Sequence, residues 1–160
     1  MAGRAWVHEL DTKLRAAAAA GFKGIEIFWE DLLYAARRYD AEATESTGQA
    51  ILQAAAWTRQ LCDDLDLEIL VLQPLMNYEG LIDRAEHAKQ IEKAKLFFQV
   101  VKILGTDIVQ VPSQMSKIGT TGDLRVIVED MKELAVLGQQ QDPPVRVAYE
   151  CMAWGAHIDT

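Results

Sequence analysis

The stretch Pro143-Pro144-Val145-Arg146-Val147-Ala148-Tyr149-Glu150 decides how this chain is to be read. Two prolines force an extended entry. The run from Val145 to Tyr149 then reads as a buried strand of a parallel sheet. It ends on a carboxylate, and the carboxyl ends of such strands are where parallel α/β folds place their chemistry. Glu150 is therefore the first candidate site residue. The loop behind it, Cys151-Met-Ala-Trp-Gly-Ala-His157, brings a histidine close by, and the sequence stops at Thr160.

Upstream of that strand the same unit recurs. Leu124, Ile127, Val128, Met131, Leu134 and Leu137 make a helical stripe with Gly138 behind it. Before it, residues 107–112 read as a strand closed by Pro112. Ile91, Ala94, Phe98, Val101 and Leu104 form another helical face, with Asp83 and Glu86 as a capping box at its start and Gly105 at its end. Residues 68–73 are a strand ended by Pro74, and residues 46–66 are helical through Ile51, Ala55, Thr58, Cys62 and Leu65. Gly24-Ile-Glu-Ile-Phe28 is a further strand, preceded by a helix over 10–21 that Gly21 stops. Strands beginning near 24, 69, 108 and 146 with helices between them imply right-handed crossovers and a parallel sheet. No linker stands out, so residues 1–160 are read as a single partial barrel domain. An open doubly wound sheet calls for a Gly-rich loop after the first strand, and Phe28-Trp29-Glu30-Asp31 is no such loop. The fold class expected is α/β, a segment of a (β/α)8 barrel.

Composition narrows the function. Sixteen basic against 24 acidic residues give a net charge of −8, which argues against a nucleic-acid partner, because phosphate binding needs clustered Lys and Arg. No stretch approaches the roughly 20 apolar residues of a membrane span, and the N-terminus lacks the order of a secretory signal. Two distant cysteines, Cys62 and Cys151, fit a reducing compartment. A cytoplasmic protein acting on a small molecule is the expectation.

Side chains alternate along a strand, so parity sorts them by face. With Glu150 toward the barrel axis, Ala148 joins it, while Val147 and Tyr149 face the helices. The same parity groups Gln110 with Ile108, Gln73 with Val71 and Glu26 with Phe28, and leaves Ile69, Val71, Ile108 and Ala148 as axis-facing apolar residues. Gln73 and Gln110 are thus candidate substrate contacts, though each could instead satisfy loose backbone groups. Glu26 lies deeper and either pairs with a neighbouring base or lines the site. An unpaired buried carboxylate is costly, and a divalent ion is a reasonable counter-charge for Glu150. His157 lies above the same face and is a candidate for substrate contact and for proton transfer. His8 and His87 read as solvated. Glu30 and Asp31 either hold a cation or serve as dipole partners at a helix entry. Of the four tryptophans, Trp154 is the one that could be a substrate platform.

Four motifs in order, Gly24-Ile-Glu-Ile-Phe-Trp-Glu-Asp-Leu32, Leu72-Gln-Pro-Leu-Met-Asn-Tyr-Glu-Gly80, Gln110-Val-Pro-Ser113 and Ala148-Tyr-Glu-Cys-Met-Ala-Trp-Gly-Ala-His-Ile158, resemble the fungal and bacterial 3-dehydroshikimate dehydratases. These are lyases of the xylose isomerase-like barrel superfamily. The resemblance implies a barrel binding one divalent metal near its axis, with the Glu of a Tyr-Glu motif, matched by Glu150, as first ligand. It implies dehydration of 3-dehydroshikimate to protocatechuate, in quinate and shikimate catabolism, on a small polar cyclic or sugar-like substrate. The family continues beyond the Trp-Gly-x-His loop with further metal and catalytic residues, and begins with a strand before the first helix here. The resemblance therefore implies a chain truncated at both ends, carrying roughly strands two to five. Such a piece has two open sheet edges, which predicts poor folding or self-association through the uncovered barrel face, and an inactive isolated chain. Two other readings stay open: an isomerase or epimerase of the same superfamily, and a non-catalytic relic or interaction module.

Overall fold

The computed structural model describes residues 3–159. In chain order these form α1 (Leu10–Ala19), β1 (Gly24–Phe28), α2 (Trp29–Ala36), α3 (Gly48–Asp64), β2 (Glu68–Gln73), α4 (Arg84–Leu104), β3 (Ile108–Pro112), α5 (Leu124–Gln139) and β4 (Arg146–Glu150). The fold class is α/β, as the strand–helix repeat requires. Two units are delimited by the internal contacts of the chain: Met1–Gln73 with Gln99–Thr106, and Pro74–Phe98 with Asp107–Thr160.

In the first unit β1 and β2 run parallel, pairing Ile25 with Ile69, Glu26 with Val71 and Phe28 with Gln73. Leu70 is skipped, and this bulge changes the parity along β2. Ile69, expected on the axis side, is buried at 3% exposure, and Leu70 is the apolar residue left open, at 42%. Sequence alternation alone assumes an unbroken ladder and cannot see the extra residue. Gly24 makes room for the bulge, since a Cβ there would lie 2.8 Å from Leu70 Cδ1.

The helix α2 was not marked by the sequence pattern. It starts directly from β1 on Phe28, which provides no side-chain cap, so the usual start signal is absent. Its acidic first turn resolves the alternatives for Asp31: the carboxylate forms a buried ion pair with Lys13 Nζ of α1 at 2.5 Å. Gly21 and Gly105 do end their helices with positive φ, +86° and +75°, the left-handed conformation that glycine adopts without a Cβ clash. Arg59 of α3 donates to the Leu104 carbonyl at 3.1 Å and satisfies the last turn of α4.

In the second unit β3 and β4 are parallel with no break, from Ile108 opposite Arg146 to Pro112 opposite Glu150. Here the parity reading holds. Val109 and Val111 are buried; Val147 and Tyr149 are half-buried, and Ala148 and Glu150 are exposed. Tyr149 lies against α5, where Leu124, Val128, Met131 and Ile158 join it in lining an open apolar groove of about 420 Å³.

Three local expectations need correction. Gly138 is inside α5 rather than behind it; a Cβ would sit 2.5 Å from the Val145 carbonyl oxygen, so the glycine serves close approach of helix and strand. The α4 capping box is half formed: Asp83 accepts from the Ala85 N–H at 2.8 Å, but Glu86 turns to Lys89 at 2.6 Å. His87 is not solvated. It is 3% exposed, wedged between the Tyr78 carbonyl and the carboxylate of Glu133, a partner 46 residues away.

Candidate functional site

Glu150 is the last residue of β4, on the face opposite α5. One strand away, Gln110 occupies the third position of β3, opposite Ala148. A diagonal step therefore separates the two side chains, about 4.8 Å across and about 6.6 Å along the strands. Long side chains span it: Gln110 Nε2 donates to Glu150 Oε2. That donation orients the amide, and Gln110 Oε1 is left buried without a hydrogen-bond partner. A free carboxylate oxygen and an orphaned amide oxygen thus stand together at the strand end.

The following loop is fastened at several points. Ser113 N–H donates to the Glu150 carbonyl at 2.8 Å, and Met152 N–H donates to Ser113 Oγ at 3.0 Å. Ala156 N–H reaches the Gln114 carbonyl at 2.7 Å. The loop brings half-buried His157 onto Thr120, with Nε2 2.9 Å from Oγ1. Thr120 Oγ1 donates its own proton to the Ser116 carbonyl. It must therefore accept from His157, which puts the hydrogen on Nε2 and the free lone pair on Nδ1. Gly122 leaves the ring its space, since a Cβ there would be 3.1 Å from Nδ1. Trp154, in the same loop, is 66% exposed.

Behind Tyr149 lies a residue the strand pattern did not single out. Glu79 is fully buried. Its Oε1 accepts from the Gln114 N–H at 2.6 Å and the Tyr149 hydroxyl at 3.0 Å, while Oε2 has no partner. Burial, and then the charge of Glu79, push the Tyr149 hydroxyl well above the usual phenol range, so it stays a donor. The available signal was the Tyr78-Glu79-Gly80 turn, where Gly80 has φ +72°.

Gln73 belongs to the first unit. It ends β2, and its amide donates to Glu26 Oε2, in a pair built like that of Gln110 and Glu150. The structure thus joins Gln110 to Glu150 and Gln73 to Glu26, while His157 is tied to Thr120.

Residues 14–159 match the family model of the xylose isomerase-like TIM barrel, and the chain belongs to that family. Its relatives include proteins named 3-dehydroshikimate dehydratase, one from Neurospora crassa at 40% identity over 95% of this chain and another from Pseudomonas aeruginosa at 35% over 94%. The chain spans 44% and 21% of their respective lengths. Among solved structures, a xylose isomerase-like TIM barrel/4-hydroxyphenylpyruvate dioxygenase fusion protein superposes with TM-score 0.76 at 34% identity, over 94% of this chain and 21% of that one. No helix among the described residues is long and apolar enough to cross a membrane.

Proposed function

We propose that this chain is part of a 3-dehydroshikimate dehydratase, a lyase that removes water from a small cyclic hydroxy-ketone to give protocatechuate. What carries the reading is Glu150, presented at a strand end on the face opposite the helices with one oxygen uncommitted. Identity of 34–40% to three proteins named for this activity supports it. Glu150, a hard oxygen donor standing beside the orphaned Gln110 Oε1, fits as one ligand of a divalent ion. When bound, such an ion supplies Lewis-acid polarisation of the substrate carbonyl.

The chain's own groups account for the rest of the proposal. Gln110 holds Glu150 through Nε2 and keeps Oε1 for a substrate hydroxyl. Gln73 offers its remaining amide valences in the same way. His157, with its Nε2 hydrogen engaged by Thr120, presents Nδ1 as the atom that takes or returns a proton. With one carboxylate ligand the strand end of the isolated 160-residue chain holds an ion weakly, and that chain is inactive. The protein that contains it is cytoplasmic and uses neither nucleic acid nor membrane.

The test is an assay with 3-dehydroshikimate and a divalent ion, on this chain and on a version extended to the length of its relatives. Protocatechuate formation by the extended protein, lost in Glu150→Gln and absent after chelation, is the expected result. Turnover of an aldose or ketose with indifference to 3-dehydroshikimate would replace the dehydratase reading by an isomerase one.

A further inference from the structure

Both ring nitrogens of buried His87 face oxygen atoms. Nδ1 lies 3.1 Å from the Tyr78 carbonyl, which can only accept, so Nδ1 carries a hydrogen. Nε2 lies 2.8 Å from Glu133 Oε2 and 3.7 Å from Asp130 Oδ1. Three groups that are all electron-pair donors in their neutral or anionic forms therefore converge, and something positive must stand between them: a proton on Nε2, or a metal ion in its place.

The spacing suits the metal. Tetrahedral coordination with bonds of about 2.0–2.1 Å sets ligand atoms roughly 3.3 Å apart, and the two contacts of Nε2 bracket that value. The surroundings suit it as well. Metal-bound histidines usually donate their other N–H to a carbonyl or carboxylate, and His87 already does so. Asp130 and Glu133 are three residues apart on α5 and so share a face. Asp130 is fixed at both oxygens, accepting the Gly80 N–H at 2.8 Å on Oδ2 and the Arg84 guanidinium at 2.7 Å on Oδ1, the oxygen that faces His87. Glu133 is 44% exposed and gives an ion and a water a way in. Fully buried Tyr78, packed edge-on to His87 with ring centroids 5.1 Å apart, has a hydroxyl without a partner. Burial first, then Glu133 and Asp130, hold that hydroxyl protonated, which leaves an uncommitted O–H in the field of the cluster.

We propose that His87, Asp130 and Glu133 form a site for a divalent transition metal of the zinc class, built on helices α4 and α5 and not on strand ends. Arg84 and the two carboxylates sum to one negative charge, which favours a cation between them.

The test is titration of the Glu150→Gln protein with Zn²⁺ and Co²⁺, a background without the strand-end carboxylate. Expected are one ion per chain and cobalt absorption bands of a histidine-containing site. His87→Gln should weaken binding at least tenfold. Glu133→Gln, which changes a half-exposed side chain, should do the same without loss of fold, as checked by circular dichroism. No retained ion at micromolar metal, or undiminished binding by a folded Glu133→Gln protein, overturns the proposal.

Discussion

The two units contain the same device with its parts exchanged. In the first, the carboxylate of Glu26 sits in the middle of β1 and the amide of Gln73 ends β2; in the second, the amide of Gln110 sits in the middle of β3 and the carboxylate of Glu150 ends β4. Both are diagonal contacts between parallel neighbours, with the carboxylates exposed and the amides half-buried. The position of the charge is what differs. A mid-strand carboxylate has ladder on both sides of it, whereas a terminal one meets the loops where a ligand enters. Glu150 is therefore the member at the strand end, and Glu26 the one flanked by ladder. The comparison also implies that neither pair holds its unit together, a task left to buried charges elsewhere.

The sharpest way to break that implication is in the first unit. Lys13 and Asp31 are both buried and joined at 2.5 Å, with Lys13 also donating to the Gly3 carbonyl at 2.9 Å. Lys13→Met leaves Asp31 charged and unpaired, which costs about 3–5 kcal/mol. Glu26→Gln, at an exposed position, should change stability by no more than about 0.5 kcal/mol. Urea denaturation followed by circular dichroism checks both, and equal losses would mean that the strand pair bears weight after all.

A smaller contrast applies to the second unit. Glu79→Ala strands the Tyr149 hydroxyl and the Gln114 N–H, both inside the fold, at a cost of roughly 1–3 kcal/mol each way of counting a lost buried partner. Glu150→Gln still accepts from Gln110 Nε2 and should fall within about 0.5 kcal/mol of the parent. A large loss of stability in Glu150→Gln would reassign that carboxylate to the framework.

What the sequence discloses and what it conceals follow from range. The strands at Gly24–Phe28 and Glu68–Gln73 are legible to the residue, because β-branched runs bounded by Gly and Pro are local signals. So is the face that Glu150 shares with Ala148, opposite Tyr149, since β4 pairs without a break. The bulge at Leu70 is a property of two strands together, and it moved Ile69 to the buried face. His87 and Glu79 escaped for a related reason. Nothing beside His87 announces Glu133, and Glu79 is followed 35 residues later by the Gln114 that binds it. Polar groups in a core are chosen by distant partners, and a single sequence does not display those.

The slightest effect concerns the cysteines, one in each unit, both unpaired. Burial pushes the Cys62 thiol up from 9.0 to about 11, against the lowering influence of Arg59 and with a contribution from Asp63. The native state thus holds this proton more tightly than the unfolded chain does. Its contribution to stability is complete below pH 9 and is lost as pH rises through about 11. The urea midpoint of the parent should fall over that interval more than that of Cys62→Ala, after correction for the truncated side chain. At pH 8 the exposed Cys151 should react at once with a thiol reagent, and Cys62 only on unfolding. If Cys62 labels as fast as Cys151, α3 opens readily. The ion pair of Lys13 and Asp31 would then be an ordinary wetted contact, and the proposed division of labour between buried and strand-end charges would fail in the first unit.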